Sequence, residues 1–258
     1  MKMYELFDIN LKERELLSFI GAGGKTTTIF KLAKELKNLK KKVLVTTSTA
    51  IFYPEKDEFD KIIVSSSNDI IKTLRSINRG TITVIGREIS SENKLLGLSK
   101  ETIDNIYNID IFDYILVEAD GSKRKSIKSP ADHEPVIPSR TDKTVGVIGI
   151  DSIEKKINEE NVHRLEEFCR VVNCKPGDTI DEEKIYRLIK NQKGLFKGSP
   201  LKSKKYVLLN KVDNRILEKR ALKIVELIIK NKVTINSIIV SSIIGEKYHV
   251  FNESLMGQ

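Results

Sequence analysis

Leu16-Leu17-Ser18-Phe19-Ile20 runs without a break into Gly21-Ala22-Gly23-Gly24-Lys25-Thr26-Thr27, and beyond it Ile29, Leu32, Ala33, Leu36 and Leu39 recur at helical spacing. An apolar run, a glycine turn and an amphipathic pattern in that order read as strand, loop and helix. Such a turn aims successive backbone N–H groups, together with the positive end of the helix, at one point, which suits phosphate oxygens. In this reading Gly21, Ala22, Gly23, Gly24, Lys25, Thr26 and Thr27 hold the phosphates of a nucleotide. Lys25 reaches the β- and γ-phosphates, and the Thr26 hydroxyl goes to Mg²⁺. The loop is short: the commoner pattern has its first glycine six residues before the lysine, where this chain has Phe19.

Outward from the loop, Val- and Ile-rich runs at 42–47, 62–64, 82–85, 114–117, 145–148, 206–209 and 238–240 read as further strands. Helical patterns fall between many of them, at 69–76, 99–107, 159–172, 181–191 and 216–230. Continuous apolar strands alternating with helices imply a sheet covered on both faces. The predicted fold is α/β, a mostly parallel sheet flanked by helices and P-loop NTPase-like, forming a single domain over residues 1–258. Residues 161–203 lack strand signals and are expected to be a small helical insertion, with a loop at 194–200.

The composition, 40% hydrophobic and 31% charged, is that of a globular chain, and no apolar run approaches the ~20 residues needed to span a bilayer. The first residues, Met1-Lys2-Met3-Tyr4-Glu5, hold an acid and no apolar signal core, so a cytoplasmic location is expected. The formal net charge of +9 permits anionic partners, yet with nine Phe, seven Tyr and no Trp there is no basic–aromatic interleaving, so nucleic acid is not an expected partner. Two cysteines, Cys169 and Cys174, are too few for a disulfide framework and read as small half-buried side chains. With His163 upstream they could also hold a soft metal or a chalcogen.

Leu116-Val117-Glu118-Ala119-Asp120-Gly121 places two acids at the end of a buried strand. Alternation turns Glu118 and Asp120 to the same side, where a P-loop enzyme needs carboxylates to hold Mg²⁺ and orient the nucleophile. Glu118, with Thr26, is the expected metal ligand. Lys123-Arg124-Lys125 follows, either a solvated loop or a clamp on a second anion. Asp132-His133-Glu134-Pro135 then reads as an ordered loop, in which His133 is an acid–base group, a metal ligand or a hydrogen-bonded loop residue. Further on, Asn210-Lys211-Val212-Asp213 ends a strand. The Asp213 carboxylate can accept from both N1–H and the exocyclic amine of guanine, a donor pair that adenine lacks, while the Lys211 stem covers the base. The alternative is a turn in which Asp213 or Asn214 caps the next helix.

With these pieces in hand the chain resembles the YqeC family, accessory proteins of selenium-dependent molybdenum hydroxylases. The resemblance is carried by FIGAGGKTTTIFKLAKEL, KVLVTTSTAIF, ILVEADGSKRKSIKSPADHEPVIP, VHRLEEF, GLFKGSP and LLNKVD, from residue 19 to about 213. The loop itself is similar to the Gly-x-x-Gly-Lys-Thr-Thr loop of Mur-type ligases. The resemblance implies a role in maturing or inserting a selenium-containing molybdenum cofactor, with Lys25 and Thr26 serving phosphates and Mg²⁺, Glu118 and Asp120 the acidic strand end, and His133-Glu134 the loop beside it. Thr46, Thr47 and Thr49 stand near enough in sequence to add hydroxyls. Three functions are compatible with this set. One is a Mg²⁺-dependent hydrolase of GTP, or of ATP, acting with an apo molybdenum hydroxylase or a cofactor-synthesis protein. Another is a small-molecule kinase or ligase. The third is a nucleotide-regulated scaffold, with residues 161–203 as its docking surface.

Overall fold

In the computed structural model, which describes residues 1–65, 74 and 76–252, the loop sits at the centre of a nine-stranded sheet. Most of the helix expected at 69–76 lies outside these residues. The elements run α1 (Met3–Leu6), β1 (Glu15–Gly21), α2 (Lys25–Asn38), β2 (Lys42–Thr47), β3 (Ala50–Phe52), β4 (Lys61–Val64), β5 (Thr81–Gly86), β6 (Glu88–Ile89) and β7 (Lys94–Leu96). They continue with α3 (Lys100–Asn108), β8 (Tyr114–Glu118), β9 (Ile127–Lys128), β10 (Lys143–Gly149), β11 (Val162–His163), α4 (Leu165–Val172), α5 (Glu182–Lys190), β12 (Lys204–Asn210), α6 (Arg215–Lys230), β13 (Ser237–Ser242) and β14 (Lys247–Asn252).

The strand order is β14-β13-β12-β10-β1-β8-β2-β5-β4. All neighbours are parallel except β14, which pairs antiparallel with β13. The eight expected strands of this sheet are all present, and the fold is the P-loop NTPase-like α/β arrangement. β1 carries the loop at its carboxyl end, and its neighbour β8 carries the acids, so loop and acids meet at the carboxyl ends of two adjacent central strands. Alternate residues of one strand enter different cores: Leu17 and Phe19 pack with Ile29, Leu32 and Leu36 of α2, whereas Leu16 and Ile20 join the core that contains α3, α4, α5 and α6. With both faces covered, the central strands are mostly apolar, which is why they read as near-continuous runs.

Local signals set most boundaries. Ser99, Asp181 and Asn214 cap α3, α5 and α6, each side chain accepting from the backbone N–H three residues on. The helix expected at 159–172 is shorter. It starts only at Leu165, because Val162–His163 is extended and pairs with β9. Residues 161–203 therefore contain a short strand as well as α4 and α5. Their buried side chains, Phe168, Ile185 and Leu188 among them, share a core with Ile148 and Val207 of the sheet. Leu195 and Phe196 of the following loop fill the space above Gly146, and Leu195 also abuts Gly21: a β-carbon at Gly21 would lie 2.9 Å from its Cδ1.

Leu195 thus wedges the far loop against the strand that ends in the phosphate loop. Leu195→Ala should cost about 2–5 kcal/mol by urea unfolding, the range for truncating a buried leucine. Leu201→Ala, at a fully exposed position of the same segment, should stay within about 0.5 kcal/mol.

Candidate nucleotide site

Gly21, Gly23 and Gly24 all have positive φ, at 85°, 96° and 124°, and each is crowded by neighbouring strands. A β-carbon would lie 2.3 Å from the Val147 carbonyl oxygen at Gly21, 2.2 Å from the Gly149 nitrogen at Gly23, and 2.4 Å from Asn210 Nδ2 at Gly24. The turn is thereby pressed against the ends of β10 and β12, and only glycine allows that approach. α2 begins at Lys25, directing its first N–H groups back over the loop.

Lys25 is almost completely buried. Its Nζ donates to the Gly21 carbonyl at 2.6 Å and stands 3.1 Å from Asp120 Oδ1 and 3.6 Å from Glu118 Oε1. Burial alone would pull the ammonium down, but Asp120 and Glu118 outweigh it and hold Lys25 above the usual lysine range. Glu118 shifts upward, because its burial outweighs Lys25 and the hydrogen bond from Thr26. Thr26 Oγ1 donates to Glu118 Oε2 at 2.7 Å. This hydroxyl and carboxylate are hard oxygen donors beside the loop, the donor type that Mg²⁺ takes. The two acids lie inside the sheet, between β1 and β2, rather than at an exposed edge.

Asp120 does more than face Lys25. Its Oδ2 accepts from the Gly21 N–H at 3.0 Å and meets Lys128 Nζ at 3.2 Å. Lys128, itself buried, also donates to the Gly121 carbonyl at 2.8 Å and to Glu134 Oε2 at 2.9 Å. Glu134 in turn receives Arg164 Nη2 at 3.3 Å. A line of alternating charge therefore runs Lys25, Asp120, Lys128, Glu134, Arg164. Burial would raise Glu134, but Lys128 and Arg164 take its carboxyl down to about 2. Beside the line, burial and then Lys128 push the His163 imidazole down to about 4. Lys128 and Arg164 were not among the expected site residues, and Glu134 was expected only as part of the loop. No spacing rule selects them, and the signal was their place in the stretches that carry the resemblance.

The loop opens on a cleft of about 990 Å³, lined by Gly23, Gly24, Lys25, Thr26, Thr27 and Glu118 and, further out, by His133 and Lys211. Gly21, Ala22 and Asp120 are not part of the lining. Thr49 reaches the cleft, whereas Thr46 and Thr47 spend their hydroxyls on the Ile85 and Glu118 carbonyls. Asn210 buttresses the loop, donating to the Gly23 carbonyl at 2.8 Å. Lys211 Nζ is drawn to Ser126 Oγ at 2.8 Å and Asp151 Oδ2 at 3.2 Å. Asp213 lines a separate cavity of about 310 Å³ and accepts from Ser242 Oγ at 2.6 Å. It is Asn214 that caps α6, so Asp213 is not consumed by the helix. His163 faces the cleft, while both cysteines pack against the core and burial, then Cys169, pushes the Cys174 thiol up to about 12. Such a thiol is a poor nucleophile and metal ligand. Among the described residues no cluster of three or more His, Cys, Asp or Glu converges on a metal position.

The family model described as YqeC protein matches residues 17–166, which span β1, the loop, the acidic strand end and the charge line through Arg164. The chain belongs to the YqeC family. It is 28% identical over 207 residues to the uncharacterized protein YqeC of Escherichia coli (strain K12), covering 80% of each chain. Among solved structures, chloroplast FtsY from Physcomitrella patens aligns over 99% of this chain and 71% of its own, at 12% identity and a TM-score of 0.31. The fold assignment for this YqeC-family chain rests on its own strand order and loop.

Lys128→Met should cost about 3–5 kcal/mol in chemical unfolding, since it strands Asp120 and Glu134 as buried acids. His163 yields a pH signature. Its folded pKa lies below that of the unfolded chain, so the unfolded state binds the proton first, and stability is lost as pH falls from about 6.5 to about 4. An NMR titration should place the His163 midpoint near 4, and His163→Asn should flatten that segment of the stability curve; a midpoint at the ordinary histidine value of 6.5 would refute this environment.

Proposed function

We propose that this chain binds a Mg²⁺–nucleoside triphosphate at the Gly21–Thr27 loop and hydrolyses it, with GTP preferred over ATP. The observation that carries this reading is the buried constellation of Lys25, Thr26, Glu118 and Asp120 at the mouth of a glycine loop. Lys25 rests on a backbone carbonyl, an interaction that a phosphate oxygen can replace at small cost. The Thr26 hydroxyl and Glu118 would hold Mg²⁺, which when bound neutralises charge on the β- and γ-phosphate oxygens. Asp120 anchors the loop through Gly21 and orients Lys25. The loop N–H groups and the start of α2 would receive the phosphate oxygens. Asp213 would accept the guanine donor pair, with Ser242 holding its other oxygen in place.

In the family setting, the partner of this activity would be an apo molybdenum hydroxylase or a protein that makes its selenium-containing cofactor, in the cytoplasm. No arginine or glutamine stands in the loop itself to complete the transition state, so intrinsic turnover should be slow and rise with the partner. The size of the cleft favours a second reading, transfer of a phosphoryl group to a small acceptor.

The test is a binding titration of GTP and ATP with Mg²⁺, repeated on Lys25→Ala and Asp213→Asn. Lys25→Ala should lose both nucleotides. Asp213→Asn should lose about tenfold or more in GTP affinity and leave ATP unchanged, the pattern of an unpaired donor pair. Equal GTP and ATP affinity in the native chain would retire the guanine preference, and undiminished turnover in Glu118→Gln would overturn its metal role.

A further inference from the structure

On the reading above, on which this inference rests, the base lies against Asp213, outside the main cleft. Only the phosphate tail then enters the 990 Å³ cleft, beside Gly23, Gly24 and Thr26. The remaining lining includes Phe52, Lys94, Lys123, Arg124, Lys125, His133 and Arg164, a strongly basic surface with room for another molecule.

Most cations in this cleft are already matched. Lys25 faces Glu118 and Asp120, Lys94 meets Glu92, Arg164 meets Glu134 and Lys211 meets Asp151. Lys125 donates to the Glu159 and Val162 carbonyls. Among the described residues Lys123 and Arg124 alone in this lining have no acidic or carbonyl partner, although both are held in left-handed backbone, at φ 47° and 60°. Two successive residues with side chains adopt that conformation only when the surroundings enforce it. Arg124 is further fixed by stacking, its guanidinium carbon 4.0 Å from the centroid of the Phe52 ring. The ring accepts none of the guanidinium's in-plane N–H hydrogen bonds, and among the described residues no acid or carbonyl does, so its N–H fork remains for two oxygens of a phosphate. Phe52 is 48% exposed, and its place in the wall is explained by that stacking. Two unmatched positive charges side by side suit a dianion better than a single carboxylate.

We propose that Lys123 and Arg124 form a second oxyanion seat that takes the phosphate group of a small phosphorylated molecule while nucleotide occupies the loop. The site then holds two substrates, and Phe52 serves as a positioning residue for Arg124.

The experiment titrates phenyl phosphate into the full chain saturated with Mg²⁺ and the non-hydrolysable β,γ-imido analogue of GTP, followed by ³¹P NMR. The loaded chain should bind it, and both Arg124→Lys and the double variant Lys123→Ala/Arg124→Ala should weaken binding about tenfold or more while nucleotide affinity stays within about twofold. Arg124→Lys keeps the charge and loses the fork, so it separates a built seat from general attraction. Displacement of phenyl phosphate by the nucleotide analogue would overturn the proposal, because the two cations would then serve the nucleotide itself. So would equal binding by the native chain and the variants. If the native chain binds no nucleotide, the loop reading fails by itself, and the titration of the free chain still decides the seat by its dependence on Arg124.

Discussion

An ammonium group almost wholly removed from water, Lys25, is the constraint around which the site is organised. Taking such a charge out of solvent costs several kcal/mol unless acids and carbonyls replace the lost hydration. Here the replacement comes from three places in the chain: Gly21 on β1, Glu118 at the end of β8, and Asp120 just beyond it. Because β1 and β8 are hydrogen-bonded neighbours, in register from Glu15 with Tyr114 to Phe19 with Glu118, sheet pairing itself delivers the acids to the lysine. The glycines allow the turn to lie flat on β10 and β12, so that the lysine points inward rather than into solvent.

The same logic extends away from the loop. Asp120 has two oxygens to satisfy, and Lys128 brings the segment after β8 back to meet it. Lys128 then needs Glu134, and Glu134 needs Arg164. The segment of residues 161–203 is tied in twice, by Arg164 at its start and by Lys197, which donates to the Ala131 and Asp132 carbonyls at 2.8 Å each. Leu195 adds an apolar wedge under Gly21. What resembles an insertion in the sequence is, in packing terms, a clamp that holds the 131–134 loop and the underside of the phosphate loop.

The parts of this arrangement legible in the sequence are those governed by short-range rules. Apolar runs marked eight of the nine strands of the main sheet, since a strand covered on both faces has few polar positions to interrupt it; β14, whose residues are exposed or half-buried, carries no such run. The Gly21–Thr26 turn and the Glu118/Asp120 pair were legible because each has a fixed offset from a strand end. Short extended pieces such as Val162–His163 were not, because two residues carry no periodicity and pairing with Ile127–Lys128 is decided by tertiary context. Lys128 was hidden for a different reason: nothing in Ser126-Ile127-Lys128-Ser129 distinguishes a buried lysine from the exposed Lys123 a few residues earlier. Asp213 was legible as a base-recognition candidate, but its place in a cavity apart from the cleft depends on how β12 and β13 end, and no pattern of four residues encodes that.

The charge line also joins the loop to the far wall of the cleft. In the present arrangement Lys25 spends its charge on Asp120, Glu118 and the Gly21 carbonyl. A triphosphate that drew Lys25 toward its own oxygens would leave Asp120 Oδ1 without its nearest cation, in a buried position. Asp120 would then lean harder on Lys128, and Lys128 less on Glu134, which would leave Arg164 as the principal partner of Glu134. These groups are already in contact, and buried charges respond strongly to small displacements because the local dielectric is low. Arg164 and His133 line the cleft, so the chain of contacts that begins at Lys25 ends on the surface that a second molecule would meet.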